Sequence, residues 1–575
     1  MLEFNVSLYI YLYKISILLN ISVMEEVYIE KILFNDSQEF TFLPNDIIVF
    51  TGANNAGKSQ ILRDIKLLAE KDKASTIIIK NITLKKNIDI NEIKKECQFR
   101  DGSYYYANNY IGPEYNLQNF LNSRDLGNLF SRFLNHLTTE ERLKTSIPPN
   151  SFNQIEEFPL HPIQILYAND DLEHSLSIFF HKAFGVSLIV NRGAGSIIPL
   201  HVGDTPVLSN GEDRVSRSYL ERLKNLSQLH KQGDGMRSFA GILLNVFTSR
   251  HTITLIDEPE AFLHPPQARL LGKMLALNKP NERQLYISTH SEDFLKGLLD
   301  ANSQNIKIFH IDRVKDINKM NLLNNDDIKK IWKDPILRYS NILSGLFHSK
   351  IIICESDVDC RFYQAIMSSL YKNEDDVNPD VLFTHCGGKK RLKTVISAMK
   401  ALNVKIVTIA DIDVLNEKAV FKDITDVLGI NWTVLEKDWR VIYDYVASQR
   451  AQLNTEEVKK EIIEILESVT DTNFPKIQGD KIKDALKAST AWSKVKEVGK
   501  AFMKGDSYNS FKKIEKIGRE YGLFIVPVGE LEGFYKPISA HGTKWVNTVL
   551  ETLNDLDSNS ELAEARAFVK AIIEY

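Results

Sequence analysis

The sequence predicts an α/β protein in two parts: a larger unit built around a glycine-rich loop, then a smaller unit with a parallel sheet. Three observations predict it. GANNAGKS, Gly52–Ser59, follows the apolar run DIIVF and opens the helical pattern GKSQILRDIKLLAE. TITLIDEPE and RQLYISTHS, around Asp257 and His290, read as two further buried strands with polar ends. After Leu343, KIIICESD, VLFTHCGG and KIVTIADID alternate with helical stretches, the strand–helix–strand order of a parallel sheet.

These elements set the expected organisation. Residues 1–23 form an apolar extension, 24–345 the first unit, and 346–575 the second, with a helical insertion at about 450–520. LYIYLYKISILLNISV carries Lys14 and Asn20 and falls short of the roughly 20 apolar residues of a spanning helix. No small-residue cleavage site follows it, so the expectation is an extra strand or helix rather than a membrane anchor or a signal. At 575 residues the chain exceeds one ordinary core. Its net charge of −4 excludes a global positive field, so nucleic-acid contact would use local basic patches. The four cysteines, Cys97, Cys354, Cys360 and Cys386, form no CxxC pair, which argues against zinc and fits a reducing cytoplasm.

GANNAGKS fits GxxxxGK[ST]. Gly52 and Gly57 allow close backbone approach, and amides at Asn54 and Asn55 face phosphate at a helix N-terminus. Lys58 would reach the β- and γ-phosphates of ATP, and Ser59 would hold Mg²⁺. Downstream, Asp257 ends an apolar strand where a second Mg²⁺ ligand belongs. Glu258 follows as the candidate base for the attacking water. His290, at the end of the next strand, is placed to sense the γ-phosphate.

In this order the motifs resemble the ABC-type ATPase heads of the SMC, RecF and Rad50 kind. The resemblance implies a nucleotide site shared between two heads, completed by a signature segment of the partner. KQGDGMRSFAGILL stands at that position, with Gly233, Gly235 and Ser238 keeping its small, helix-opening character. Gln164 is the candidate for a glutamine loop.

Three acidic clusters then fall at successive strand ends: Glu355 and Asp359, Asp411 and Asp413, Glu530 and Glu532. Parallel strands bring their carboxyl ends to one edge, where converging carboxylates need cations. Hard oxygen ligands favour Mg²⁺ or Mn²⁺, and a pair of such ions suits attack on a phosphodiester. ESDVD, the HCGGKKRLK segment and the DID sequence resemble a Toprim domain, a Rossmann-like parallel α/β fold. An ABC-type P-loop head followed by Toprim, with a helical C-terminal elaboration, resembles the overcoming-lysogenization-defect (OLD) family of nucleases. It is similar in layout to the Gabija large subunit and to retron-linked effectors.

That resemblance implies an ATP-regulated, metal-dependent DNA endonuclease of antiphage defence. Glu355, Asp359, Asp411, Asp413, Glu530 and Glu532 would bind its metals. It also implies a late lysine that stabilises transition-state charge, for which Lys544 is the candidate. Expected partners are double-stranded DNA, a second copy through the heads, and a defence-system protein or retron nucleic acid; no membrane is expected. Lys389, Lys390, Arg391, Lys393 and the basic stretch Lys476–Arg519 are the candidate phosphate contacts. The alternative is an SMC- or RecF-like repair or structural ATPase with an inactive Toprim domain.

Overall fold

Apolar runs with interrupted periodicity build the main sheet of each of two units. The computed structural model describes residues 26–107, 109–155, 157–334, 341–373, 375, 377–449, 455–469, 474–486 and 491–575. The apolar N-terminal stretch lies outside them. No described helix is long and apolar enough to cross a membrane. The chain divides after Trp332. Gly345, the expected boundary, belongs to the second unit. A Cβ there would stand 2.0 Å from Ile351 Cδ1, so its turn packs on the second sheet.

In the first unit a six-stranded sheet runs in the order Ile317–Leu322, Ile306–Val314, Ile47–Gly52, Gln284–Ser288, Ile253–Asp257, Leu134–Leu137. The last five are parallel, and the first closes an antiparallel hairpin. Ile47–Phe50, Ile253–Ile256 (interrupted only by Thr254) and Leu285–Ile287 are apolar runs and are fully buried, as strands covered on both faces require. Helix Lys58–Glu70 buries Ile61, Leu62, Ile65 and Leu68, a stripe at helical spacing.

The second unit has four parallel strands in the order Val381–His385, Lys350–Cys354, Ile406–Ala410, Leu523–Ile525. The chain order reverses direction at Lys350–Cys354 and Ile406–Ala410, the switch point where α/β sheets bind ligands. Between the third and fourth strands the described residues form helices from Lys418–Leu428 to Asp506–Glu520, a wider stretch than 450–520. Its helices are tied down by aromatics. Trp439 donates its indole N–H to the Leu415 carbonyl at 2.8 Å and stacks on Tyr443.

Candidate functional site

The phosphate loop leaves a helix N-terminus open. Gly57, at φ 100°, precedes helix Lys58–Glu70, and no side chain caps it. A Cβ on Gly57 would come within 2.4 Å of Ile78 Cδ1, so only glycine makes this turn. Lys58 is buried and donates to the Gly52 and Ala53 carbonyls at 2.7 and 2.8 Å. Its ammonium therefore lies inside its own loop. Ser59 donates to Asp257 Oδ1 at 2.8 Å, and Ser288 donates to the same oxygen. The two residues expected to share a cation thus meet across adjoining elements.

Glu258 has φ 48°, an uncommon conformation for a side chain of its size. Its N–H donates to the Ser288 carbonyl at 2.9 Å. His290 Nε2 lies 3.5 Å from Glu258 Oε1. Burial, with the nearby Lys58 charge, pushes the His290 imidazole down to about 4, so it is neutral at physiological pH. Glu260, absent from the sequence expectations, accepts the His290 N–H at 2.7 Å and the Thr289 hydroxyl at 2.9 Å. Burial raises its carboxyl.

Two expectations in this unit are corrected. Ser238 is fully buried and accepts from Arg142 Nε at 3.1 Å, so its hydroxyl is turned into its own unit. Gly235, one helical turn before it, packs on the Phe262 carbonyl, 2.8 Å from where a Cβ would stand. Only Gly233 of the three points into open space. Gln164 caps its own helix: Oε1 accepts from the Leu160 and His161 amides, and Nε2 donates to the Asn150 carbonyl.

In the second unit the acidic clusters converge. Carboxylate oxygens of Glu355, Asp411 and Asp413 lie within 4.8 Å of one another, as do ligand atoms of Glu530, Glu532 and His541. Members of both groups line one cavity of about 480 Å³, with Asp359, Gly387 and Gly388 on its wall. Glu355 Oε1 accepts the Asp411 N–H at 3.1 Å. Burial pushes the Glu355 carboxyl up to about 7, and the carboxylates of Asp413 and Asp359 add to the rise. Burial and the Glu355 charge hold Asp411 well above the usual carboxylate range. Asp359 stands outside both groups. One of its oxygens accepts the Ser356 N–H at 2.8 Å, closing a capping box with Ser356 at the start of helix Asp357–Leu370.

Lys544 is exposed on helix Gly542–Thr552, next to Thr543 of the cavity wall, and among the described residues it makes no ion pair with the acidic groups. Lys496 Nζ instead reaches Glu530 Oε2 at 3.0 Å and Asp413 Oδ2 at 3.7 Å, one carboxylate from each group. Burial alone would lower its ammonium; Asp413 and Glu530 outweigh that and hold it above the usual range. Lys389 Nζ lies 3.0 Å from both Asp413 Oδ2 and Glu417 Oε1, so it is engaged at the acidic edge. Lys496 arrives on helix Ala491–Val498. That helix docks so closely on Gly529 that a Cβ there would stand 1.8 Å from the Lys496 carbonyl.

Comparison with known proteins adds a separate line. Residues 108–295 match a family model described as an AAA domain and linked to the AbiEii toxin of a Type IV TA system. Over 238 residues the chain is 25% identical to the Old nuclease of Escherichia phage P2. It is similar in sequence to an OLD nuclease. The OLD match covers 40% of this chain and 38% of the phage protein, so the chain spans well under two thirds of that relative. Two solved structures are also similar to this chain. An SmcHead bound to the C-winged helix domain of ScpA is 15% identical, with 52% of this chain and 99% of that one covered at a TM-score of 0.31. The SMC head domain from Thermotoga maritima is 11% identical, with 52% and 98% covered at 0.27.

Proposed function

We propose that this chain is an ATP-regulated, divalent-metal-dependent DNA endonuclease of antiphage defence, working in the cytoplasm as a homodimer or larger assembly. One observation carries the reading. Two groups of close-set ligand atoms flank a single cavity at the carboxyl ends of parallel strands, in a chain that also pairs Ser59 with Asp257.

The donor set fits hard cations. Desolvation first, and repulsion between carboxylates this close second, raise the Glu355 and Asp411 carboxyls, and a divalent ion would relieve both. Glu355, Asp411 and Asp413 would hold one ion; Glu530, Glu532 and His541 would hold a second, with Asp359 at the cavity wall. Bound there, Mg²⁺ or Mn²⁺ supplies Lewis acidity for in-line hydrolysis of a phosphodiester. Lys496, between the two groups, neutralises phosphate charge. Lys390, with its side chain 76% exposed, and the exposed Lys512, Lys513 and Lys516 offer backbone contacts to double-stranded DNA.

In the first unit Lys58 binds the ATP phosphates, Ser59 and Asp257 hold the nucleotide's Mg²⁺, and Glu258 accepts the proton of the attacking water. Neutral His290 orients that water without adding positive charge beside Lys58. The similarity to the phage nuclease supports pairing this ATPase with a DNA-cutting unit. A defence-system protein or retron nucleic acid as trigger rests on the OLD resemblance alone.

The test is plasmid nicking by the purified chain with Mg²⁺ or Mn²⁺, with and without ATP. Nicking by the wild type, lost in Asp411→Ala with ATPase activity retained, is the expected result. Undiminished nicking in an Asp411→Ala, Asp413→Ala double variant would overturn the assignment. A structural ATPase with an inactive second unit predicts no nicking by any form.

A further inference from the structure

Arg142 belongs to no motif, yet its side chain is fully buried beside the phosphate site. It sits on helix Thr139–Lys144, which follows the strand Leu134–Leu137 paired in parallel with Ile253–Asp257. Its guanidinium donates four hydrogen bonds, one of them from Nη2 to Thr139 Oγ1 on its own helix at 3.2 Å. Nη1 donates to the Asp257 carbonyl at 2.5 Å, Nη2 to the Glu258 carbonyl at 3.0 Å, and Nε to Ser238 Oγ at 3.1 Å.

Two consequences follow from this fork. Glu258 is pinned from both sides: its N–H by the Ser288 carbonyl, its own carbonyl by the Ala261 N–H and by Arg142, the one side chain among these donors. A left-handed non-glycine conformation persists only where the surroundings over-determine it, and these three bonds do so together. Second, the fork joins the Glu258 backbone to helix Asp234–Phe247, which carries Ser238 and opens at Gly233. The helix bearing Arg142 packs directly on that helix. A Cβ on Gly241 would stand 2.3 Å from the Arg142 carbonyl, and Asn245 Nδ2 donates to Thr145 Oγ1 at 2.9 Å.

We propose that Arg142 is a positioning residue for ATP hydrolysis, holding the Glu258 backbone in its working conformation and linking it mechanically to the helix Asp234–Phe247. The proposal rests on the reading of Glu258 as the hydrolytic base. The guanidinium is suited to it. Burial lowers it only to about 10, so it stays cationic, and its flat fork reaches two successive carbonyls and a hydroxyl together, which an ammonium cannot do.

The experiment compares Arg142→Lys, Arg142→Gln and Ser238→Ala with wild type and Glu258→Gln, each checked for folding by thermal melting. A positioning role predicts that folded Arg142 variants bind a fluorescent ATP analogue within about two-fold of wild type while kcat falls about 10- to 100-fold, the scale of a small misplacement. Ser238→Ala, which removes a single bond, should lower kcat less and leave binding unchanged. Adding Arg142→Lys to Glu258→Gln should cost little more, because residues acting as one unit are not additive. Wild-type kcat in a folded Arg142→Gln, or equal losses of binding and kcat, would overturn the proposal. If both Arg142 variants fail to fold, unchanged kcat in Ser238→Ala would overturn the link to the helix. Absence of ATPase activity in wild type, or full activity in Glu258→Gln, would instead remove the reading beneath it.

Discussion

Lys496 Nζ stands 3.0 Å from Glu530 Oε2, a salt bridge between a helix of the insertion and the last strand end of the acidic edge. The same ammonium lies near Asp413, so it holds together two groups of carboxylates that would otherwise repel. Lys496→Met should lower DNA nicking by about 100-fold, the usual scale for losing one positioned charge donor. Because Lys496 is partly exposed, the stability cost should stay near 1 kcal/mol. Lys496→Arg should recover part of the activity. Nicking assays at saturating Mg²⁺ check this, and wild-type rates in Lys496→Met would return Lys496 to a structural role.

Glu355 gives a pH signature in the metal-free protein. Its carboxyl is raised from 4.5 to about 7 in the folded chain, so between those values the folded state binds the extra proton. Stability therefore falls as pH rises through that window, and most of this group's contribution is gone above pH 7. In EDTA, the wild-type melting temperature should decline from pH 4.5 to 7 more steeply than that of Glu355→Gln. Added Mg²⁺ should stabilise more at pH 7.5 than at pH 5, because the ion competes with the proton. Parallel melting curves for the two proteins would contradict this origin.

What could be read from the chain, and what could not, divides by locality. GANNAGKS, TLIDEPE and the strand-end acids are short segments whose chemistry and setting lie within a few residues. Lys496 was one lysine in a basic, helical stretch. Only the docking of its helix on Gly529 brings it to Asp413, more than eighty residues back in sequence. His541 is a lone histidine until its turn meets Glu532. Arg142 carries no pattern at all, and its role comes from burial. Composition indicates a small-residue helix start but not which face turns inward, and Ser238 is on the inward face. The residues equivalent by position, Gly235 and Ser238, face the Phe262 and Arg142 side of the helix.

The phosphate site separates binding from hydrolysis. Lys58→Ala removes the cation of the loop and should weaken ATP affinity at least about ten-fold. Glu258→Gln keeps the shape of the site but removes the proton acceptor, so binding should persist while kcat drops by about 100-fold or more. Titration with a fluorescent ATP analogue alongside steady-state hydrolysis distinguishes the two. Equal hydrolysis by Glu258→Gln and wild type would shift the base elsewhere, with Glu260 next in line by position.

The shared-site assembly is testable at Gly233. This residue begins helix Asp234–Phe247 with ordinary dihedral angles, φ −61° and ψ 153°, and a Cβ there meets nothing within 4 Å. An arginine at this position fits its own chain, so Gly233→Arg should melt as wild type does. In a two-fold dimer of heads, the same side chain would intrude on the partner's nucleotide site and abolish hydrolysis. Lys58→Ala is inactive for the opposite reason, having a sound helix start but a defective loop. A mixed dimer of the two places both lesions in one composite site and none in the other. Mixing the inactive proteins should therefore restore part of the ATPase rate, up to about half per mixed dimer if the two sites act independently. Full activity of Gly233→Arg alone would mean that each head hydrolyses ATP without its partner.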